Sequence, residues 1–254
     1  MATHLNHPKG ILKAMQTIGS RARAATAGAV LILAGAMSAG GLAQAQPTAG
    51  PYPAMAPLSA YRTQSRAEEI AMARSAAPAS VSDKAEVLVL GDKGYETAAK
   101  GSNGFSCIVQ RSWANDFGSA EFWNPKARAP ICFNPASART VLPTYLMRTS
   151  WVLSGISVEE MASKTRDALA SGAIPPPEPG AMCYMMSKHG YTDDAAAGPW
   201  RAHLMFYVPR AQPETWGANL PGSPVIGGAS SIEPLSVFIV PVPNWSDGSP
   251  DHGH

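Results

Sequence analysis

Two apolar runs of strand length, A-M-C-Y-M-M-S at residues 181–187 and A-H-L-M-F-Y-V-P at residues 202–209, flank a polar connection. The connection, residues 188–201, holds two glycines, a proline and the adjacent Asp193 and Asp194. This pattern predicts a β-hairpin with a long loop, and so commits the middle of the chain to antiparallel pairing. Methionine, cysteine and histidine side chains concentrate in the same stretch. Strand alternation puts Cys183 and Met185 on one face of the first run, and His203 and Met205 on one face of the second. Whether the two faces coincide depends on register, because a slip of one residue moves a whole set of side chains to the other face.

Residues 1–45 set the expected destination. Lys9, Lys13, Arg21 and Arg23 are the only basic side chains of Lys or Arg type there, no acid accompanies them, and all four precede the apolar stretch 27–37. A-Q-A follows at residues 43–45, so the layout is that of a signal peptide cut after Ala45. The apolar stretch falls short of the roughly 20 residues a bilayer span needs. Removing the four leader cations leaves 16 Lys and Arg against 18 Asp and Glu, a net charge near −2. Without a basic cluster the mature chain lacks the electrostatic footprint of a nucleic-acid binder. No later apolar run has the length of a transmembrane span. The expectation is a periplasmic or secreted protein.

All three cysteines lie beyond the leader, where oxidation is permitted. Cys107 and Cys132 each occupy a short apolar run with a connector suited to neighbouring strands, so they are the expected disulfide pair, with Cys183 as the free thiol.

In chain order, residues 46–61 read as a Pro/Ala-rich linker. Ser65 and Glu68 form a capping box that opens a helix ended by Pro78. Residues 86–91, 95–100 and 105–111 read as a three-stranded meander turned by G-D-K-G and G-S-N-G. Residues 112–130 form an irregular loop whose Trp113, Phe117, Phe122 and Trp123 either pack or face a ligand. A helix is expected over 136–154, and a second runs from the Ser157/Glu160 capping box to Gly172. A proline-rich arm leads into the hairpin, residues 236–242 supply a last strand, and residues 243–254 read as a disordered tail. The predicted fold is a single α+β domain over residues 62–242, a mainly antiparallel sheet with helices packed on one face.

N-G-F-S-C at residues 103–107, Leu142-Pro143, Y-M-M-S at 184–187, H-L-M-F-Y at 203–207 and I-V-P-V at 239–242 resemble a family of uncharacterised exported bacterial proteins. In that group proline precedes the histidine; this chain has Ala202. The resemblance implies export and a shared fold, and brings with it no established activity or catalytic residue.

Three chemistries compete for the hairpin region. Binding of a small molecule or a cell-envelope component is the leading expectation, with Tyr184, Ser187, His203 and Tyr207 as ligand-binding candidates, because polar groups on rigid strands beside a long loop suit recognition. A hydrolase would draw on Ser187, His189, His203, Asp193 and Asp194, or on Cys183 with His203, although no G-x-S-x-G elbow or H-E-x-x-H spacing is present. A soft-metal site for copper arises only if the Cys183/Met185 and His203/Met205 faces coincide. No cofactor and no metal ligand set is assigned from the sequence.

Overall fold

Local sequence signals open the helices where expected. In the computed structural model, which describes residues 50–194 and 200–252, Ser65 accepts a hydrogen bond from the Glu68 amide at 3.1 Å and starts α1 (Arg66–Arg74). The Glu68 carboxylate accepts in turn from the Gln64 amide at 2.7 Å, so two otherwise orphaned N–H groups are satisfied. Pro78 leads into the short α2 (Ala79–Ser82). The helix expected over 136–154 divides at Val141 into α3 (Pro135–Thr140) and α4 (Leu142–Leu153), with Pro143 accommodated in the first turn of α4. Helix α5 (Val158–Ala170) is capped by Ser157 and closed by Gly172 at φ 76°. The expected signal peptide and its cut site lie outside the described residues.

The strands are β1 (Glu86–Leu90), β2 (Tyr95–Ala99), β3 (Ser106–Gln110), β4 (Ala129–Phe133), β5 (Met182–Met185), β6 (His203–Pro209), β7 (Ile226–Ala229) and β8 (Leu235–Pro241). They form one eight-stranded sheet in the order β2-β1-β3-β4-β5-β6-β8-β7, in which only the β1–β3 pair is parallel. The chain is thus an α+β domain with a mainly antiparallel sheet, and the described residues fall in one compact unit, Pro47–His254.

The first three strands do not make the expected meander. G-D-K-G does turn β1 into β2, with Gly91 donating to the Gly94 carbonyl at 2.8 Å. G-S-N-G instead carries the chain across the start of β1: Ser102 N–H donates to Lys84 O, and the Asn103 side-chain amide donates to Val81 O, both at 2.8 Å. A Cβ on Gly101 would stand 2.2 Å from the Glu86 backbone nitrogen, so only glycine permits this close crossing. Strand β3 therefore emerges on the far side of β1 and runs parallel to it.

Alternation divides the core between two faces. Val87, Val89, Cys107, Val109 and Cys132 pack with Ala73, Ala76 and Ala77 of the α1 region. Leu88, Ile108, Ile131, Phe133, Cys183 and Met185 pack on the opposite face with Val141 and Leu142, while Tyr145 of α4 meets Phe133 edge-on. Helices thus flank both faces of the sheet, not one. Cys107 and Cys132 stand directly opposite each other on β3 and β4 with their sulfurs at bonding distance, 2.00 Å. Cys183 is a buried free thiol.

The boundaries of the domain also differ from the sequence reading. The end of the expected linker forms a 3₁₀ turn, Leu58–Tyr61, and delivers the fully buried Tyr61 ring to Trp113 at 4.9 Å between ring centres. Trp113 and Phe122 of the aromatic loop are buried in the same cluster, and Trp113 Nε1 donates to Thr149 at 2.9 Å, so this loop is packed. The expected disordered tail instead folds back over residues 243–252. Ser246 N–H donates to Met186 O, Asp251 accepts from Ala202 N–H, and Lys188 pairs with Asp247 at 2.6 Å. These contacts give the tail hydrogen-bonding partners at the base of the hairpin loop that its composition does not announce.

Candidate functional site

The register of the central hairpin brings its two chemically rich faces together. Met185 pairs with His203, and Cys183 pairs with Met205; on the far side of β6, Met205 pairs with Ile239 and Tyr207 with Val237. Paired residues in an antiparallel ladder share a face, so Cys183, Met185, His203, Met205 and Tyr207 all project from the same side of the sheet.

Over this side lies an open cleft of about 820 Å³. Met185, His203, Met205, Tyr207, Val237 and Ile239 form its floor, Ile226 its outer rim, and Tyr145, Gln110 and Ala114 one wall. The other wall comes from the hairpin loop through Tyr191, Thr192, Asp193, Asp194, Trp200 and Arg201. A smaller cavity of about 210 Å³ shares Ala114, Tyr145, Tyr207 and Val237 with it and reaches the Arg148–Glu233 ion pair at 3.1 Å.

Several contacts pin the loop wall. Tyr191 and Arg128 exchange both backbone hydrogen bonds at 2.9 Å, which docks the loop beside β4. Asp194 accepts from Lys126 at 3.0 Å and from Tyr52 and Tyr191; the Tyr52 hydroxyl and then Lys126 hold its carboxyl below the usual carboxylate range. Trp200 donates its indole N–H to Ser187 O at 2.6 Å. Gly190 is required under that ring, because a Cβ there would lie 2.0 Å from the indole. On its other side, Trp200 meets the His203 imidazole edge-on at 5.1 Å between centres.

His203 Nδ1 lies 2.7 Å from the Arg201 carbonyl. A carbonyl only accepts, so Nδ1 carries the proton and the neutral ring keeps its lone pair on Nε2. Burial pushes the imidazole pKa below its ordinary value. Nε2 is thus an acceptor or ligand nitrogen at neutral pH.

Next along the floor, Tyr207 Oη lies 3.3 Å from Cys183 Sγ. Burial pushes the thiol up to about 12 and raises Tyr207 and Tyr145 above the ordinary phenol value, so the group is neutral and un-ionised at physiological pH. A thiolate at Cys183 is thereby disfavoured, and with it a Cys183–His203 nucleophile pair.

The four ligand-binding candidates separate. His203 and Tyr207 line the cleft. Tyr184 projects from the opposite face, where its ring lies 6.3 Å from Phe105. Ser187 is fully buried beyond the end of β5, its hydroxyl 2.7 Å from Ser75 Oγ and accepting from His189 N–H at 3.1 Å. Ser187 serves the cleft only through its backbone carbonyl, which holds Trp200. Tyr145, Gln110 and Ile226 are cleft residues that the sequence did not single out as site candidates. For Met185 and Met205 the shared-face pattern was the available signal; for Tyr145, on a helix some 60 residues away by chain position relative to β6 (145 against 203–209), there was none.

No serine or cysteine side chain lines the cleft among the described residues. No group of three or more His, Cys, Asp or Glu gathers to hold a metal among them either. No described helix is long and apolar enough to cross a membrane. No family model, curated protein or solved structure matches this chain.

Proposed function

We propose that this is an exported binding protein whose cleft takes a compact, largely apolar small molecule or envelope-derived component. The cleft itself carries the reading. Its volume of about 820 Å³ lies in the range of small-molecule sites, and aromatic and aliphatic side chains dominate its lining. A few polar side chains line it: His203 and Tyr207 on the floor, and Asp193 and Arg201 in the loop wall. Such a lining favours a hydrophobic body with one or two hydrogen-bonding groups.

Export is supported by the leader-like composition of residues 1–45 and by Cys107 and Cys132 at disulfide distance, an arrangement suited to an oxidising compartment. Hydrolysis is less well supported, because Ser187 is engaged by Ser75 and His189 outside the cleft.

Ile226 gives the cleanest test, since it is 54% exposed on the edge strand and still lines the cleft. Native mass spectrometry and thermal shift against a panel of apolar small molecules and envelope lipids will find a ligand that stabilises the protein. Ile226→Glu leaves the unliganded melting temperature nearly unchanged and removes that stabilisation. Undiminished ligand stabilisation in this variant would refute the placement of the site.

A further inference from the structure

We propose that the cleft floor contains a site for a soft monovalent metal ion, copper(I), formed by the thioethers of Met185 and Met205 and by Nε2 of His203. The register carries this assignment. Met185 stands directly across the ladder from His203, and Met205 is two residues along β6 and diagonal to Met185. Directly opposed Cβ atoms lie about 4.5–5.5 Å apart and diagonal ones about 7–8 Å, within reach of long, flexible side chains. All three side chains line one cavity, so an ion entering the cleft meets them together.

The donor set determines the ion. Thioethers are soft, uncharged and polarizable, and with an imidazole they favour copper(I) over hard oxygen-seeking cations. The ligand nitrogen is oriented in advance: the Arg201 carbonyl accepts from Nδ1–H at 2.7 Å, the same outer hydrogen bond that fixes a metal-binding histidine with Nε2 free. Trp200 lies edge-on to the imidazole and shields it from the loop side. Cys183 shares the face but is turned to Tyr207 and does not line the cleft, so the thiol is excluded from the set. The site shares the cleft floor with the proposed organic ligand, so its test is run without one.

Silver(I) is the probe, as a redox-inert stand-in with the same ligand preference. The purified protein is titrated with silver(I) under native mass spectrometry, and its copper(I) affinity is measured by competition with a chromogenic copper(I) chelator. One equivalent binds. His203→Gln and the paired Met185→Leu/Met205→Leu variant each lose affinity by more than the roughly tenfold to hundredfold that loss of an outer-shell partner causes. Cys183→Ser binds as the wild type does.

Silver(I) binding is read with no organic ligand present, and Ile226→Glu, at the rim and outside the donor set, binds silver(I) as the wild type does, so the two readings fail separately. Circular dichroism establishes that each variant is folded. Failure of the wild type to bind one equivalent, wild-type affinity in either the His203 or the paired Met variant, or loss of binding in Cys183→Ser would each overturn the assignment.

Discussion

At the residue scale, His203 joins most of the features of the cleft. Its Nδ1 is committed to the Arg201 carbonyl, Trp200 packs against its edge, and burial lowers its proton affinity. The unfolded chain therefore binds a proton at this position more readily than the folded one. Stability is highest above the unfolded value of about 6.5 and declines as pH falls through it toward the lowered folded value. Urea unfolding of the wild type between about pH 7.5 and about pH 5.5 shows this loss, and His203→Gln reduces it. Every other histidine of the chain is common to both proteins, so the difference isolates His203. An identical pH dependence in the two would show that His203 does not carry the effect. Little of this was legible in the sequence: H-L-M-F-Y marked the histidine, but its tautomer depends on a carbonyl two residues away that only the turn geometry brings to Nδ1.

At the element scale, the β5–β6 hairpin was readable because two strand-length runs and a polar connection are local signals. Its register was not, since alternation alone is satisfied by two pairings that differ by one residue. That ambiguity is why Tyr184 and His203 were grouped although they project from opposite faces. The β1–β2 turn was equally local, whereas the path from β2 to β3 depends on Gly101 passing the backbone of Glu86, a long-range contact that a G-S-N-G string does not encode. The β3–β4 pair was anticipated through its cysteines, which close a sequence separation of 25 residues. Chain-entropy reasoning gives that link about 3.5 kcal/mol of stabilisation. Replacing both Cys107 and Cys132 by alanine lowers the urea midpoint accordingly under non-reducing conditions. A double variant as stable as the wild type would mean that β3 and β4 are held by packing beneath α1 alone.

At the scale of the whole molecule, strand neighbours are set by contacts far apart in sequence: β4 joins β3 to β5, and β8 lies between β6 and β7. The α+β class was legible from the order of elements, but the placement of helices on both faces was not, because a strand buried on both sides, such as β3 or β4, reads simply as a short apolar run. One buried ion pair ties the N-terminal part to this sheet. Arg111 Nη2 donates to Glu69 at 2.9 Å, its Nε donates to Tyr61 O at 2.7 Å, and Nη1 donates to Val109 O; the same Glu69 carboxylate accepts from Leu90 N–H at 2.9 Å. The 3₁₀ turn, α1, β1 and β3 are thus joined at a point where neither charge is exposed to solvent. Nothing in the local sequence marks residues 69 and 111 as partners. Removing one charge strands the other in a water-poor interior, so Glu69→Ala costs about 3–5 kcal/mol in denaturant unfolding. Replacing both by apolar residues, Glu69→Leu with Arg111→Met, recovers much of that loss, because no uncompensated charge remains buried. Equal destabilisation in the single and double variants would instead show that the Arg111 hydrogen bonds to Tyr61 and Val109, intact in the single variant, offset the relief of removing its charge.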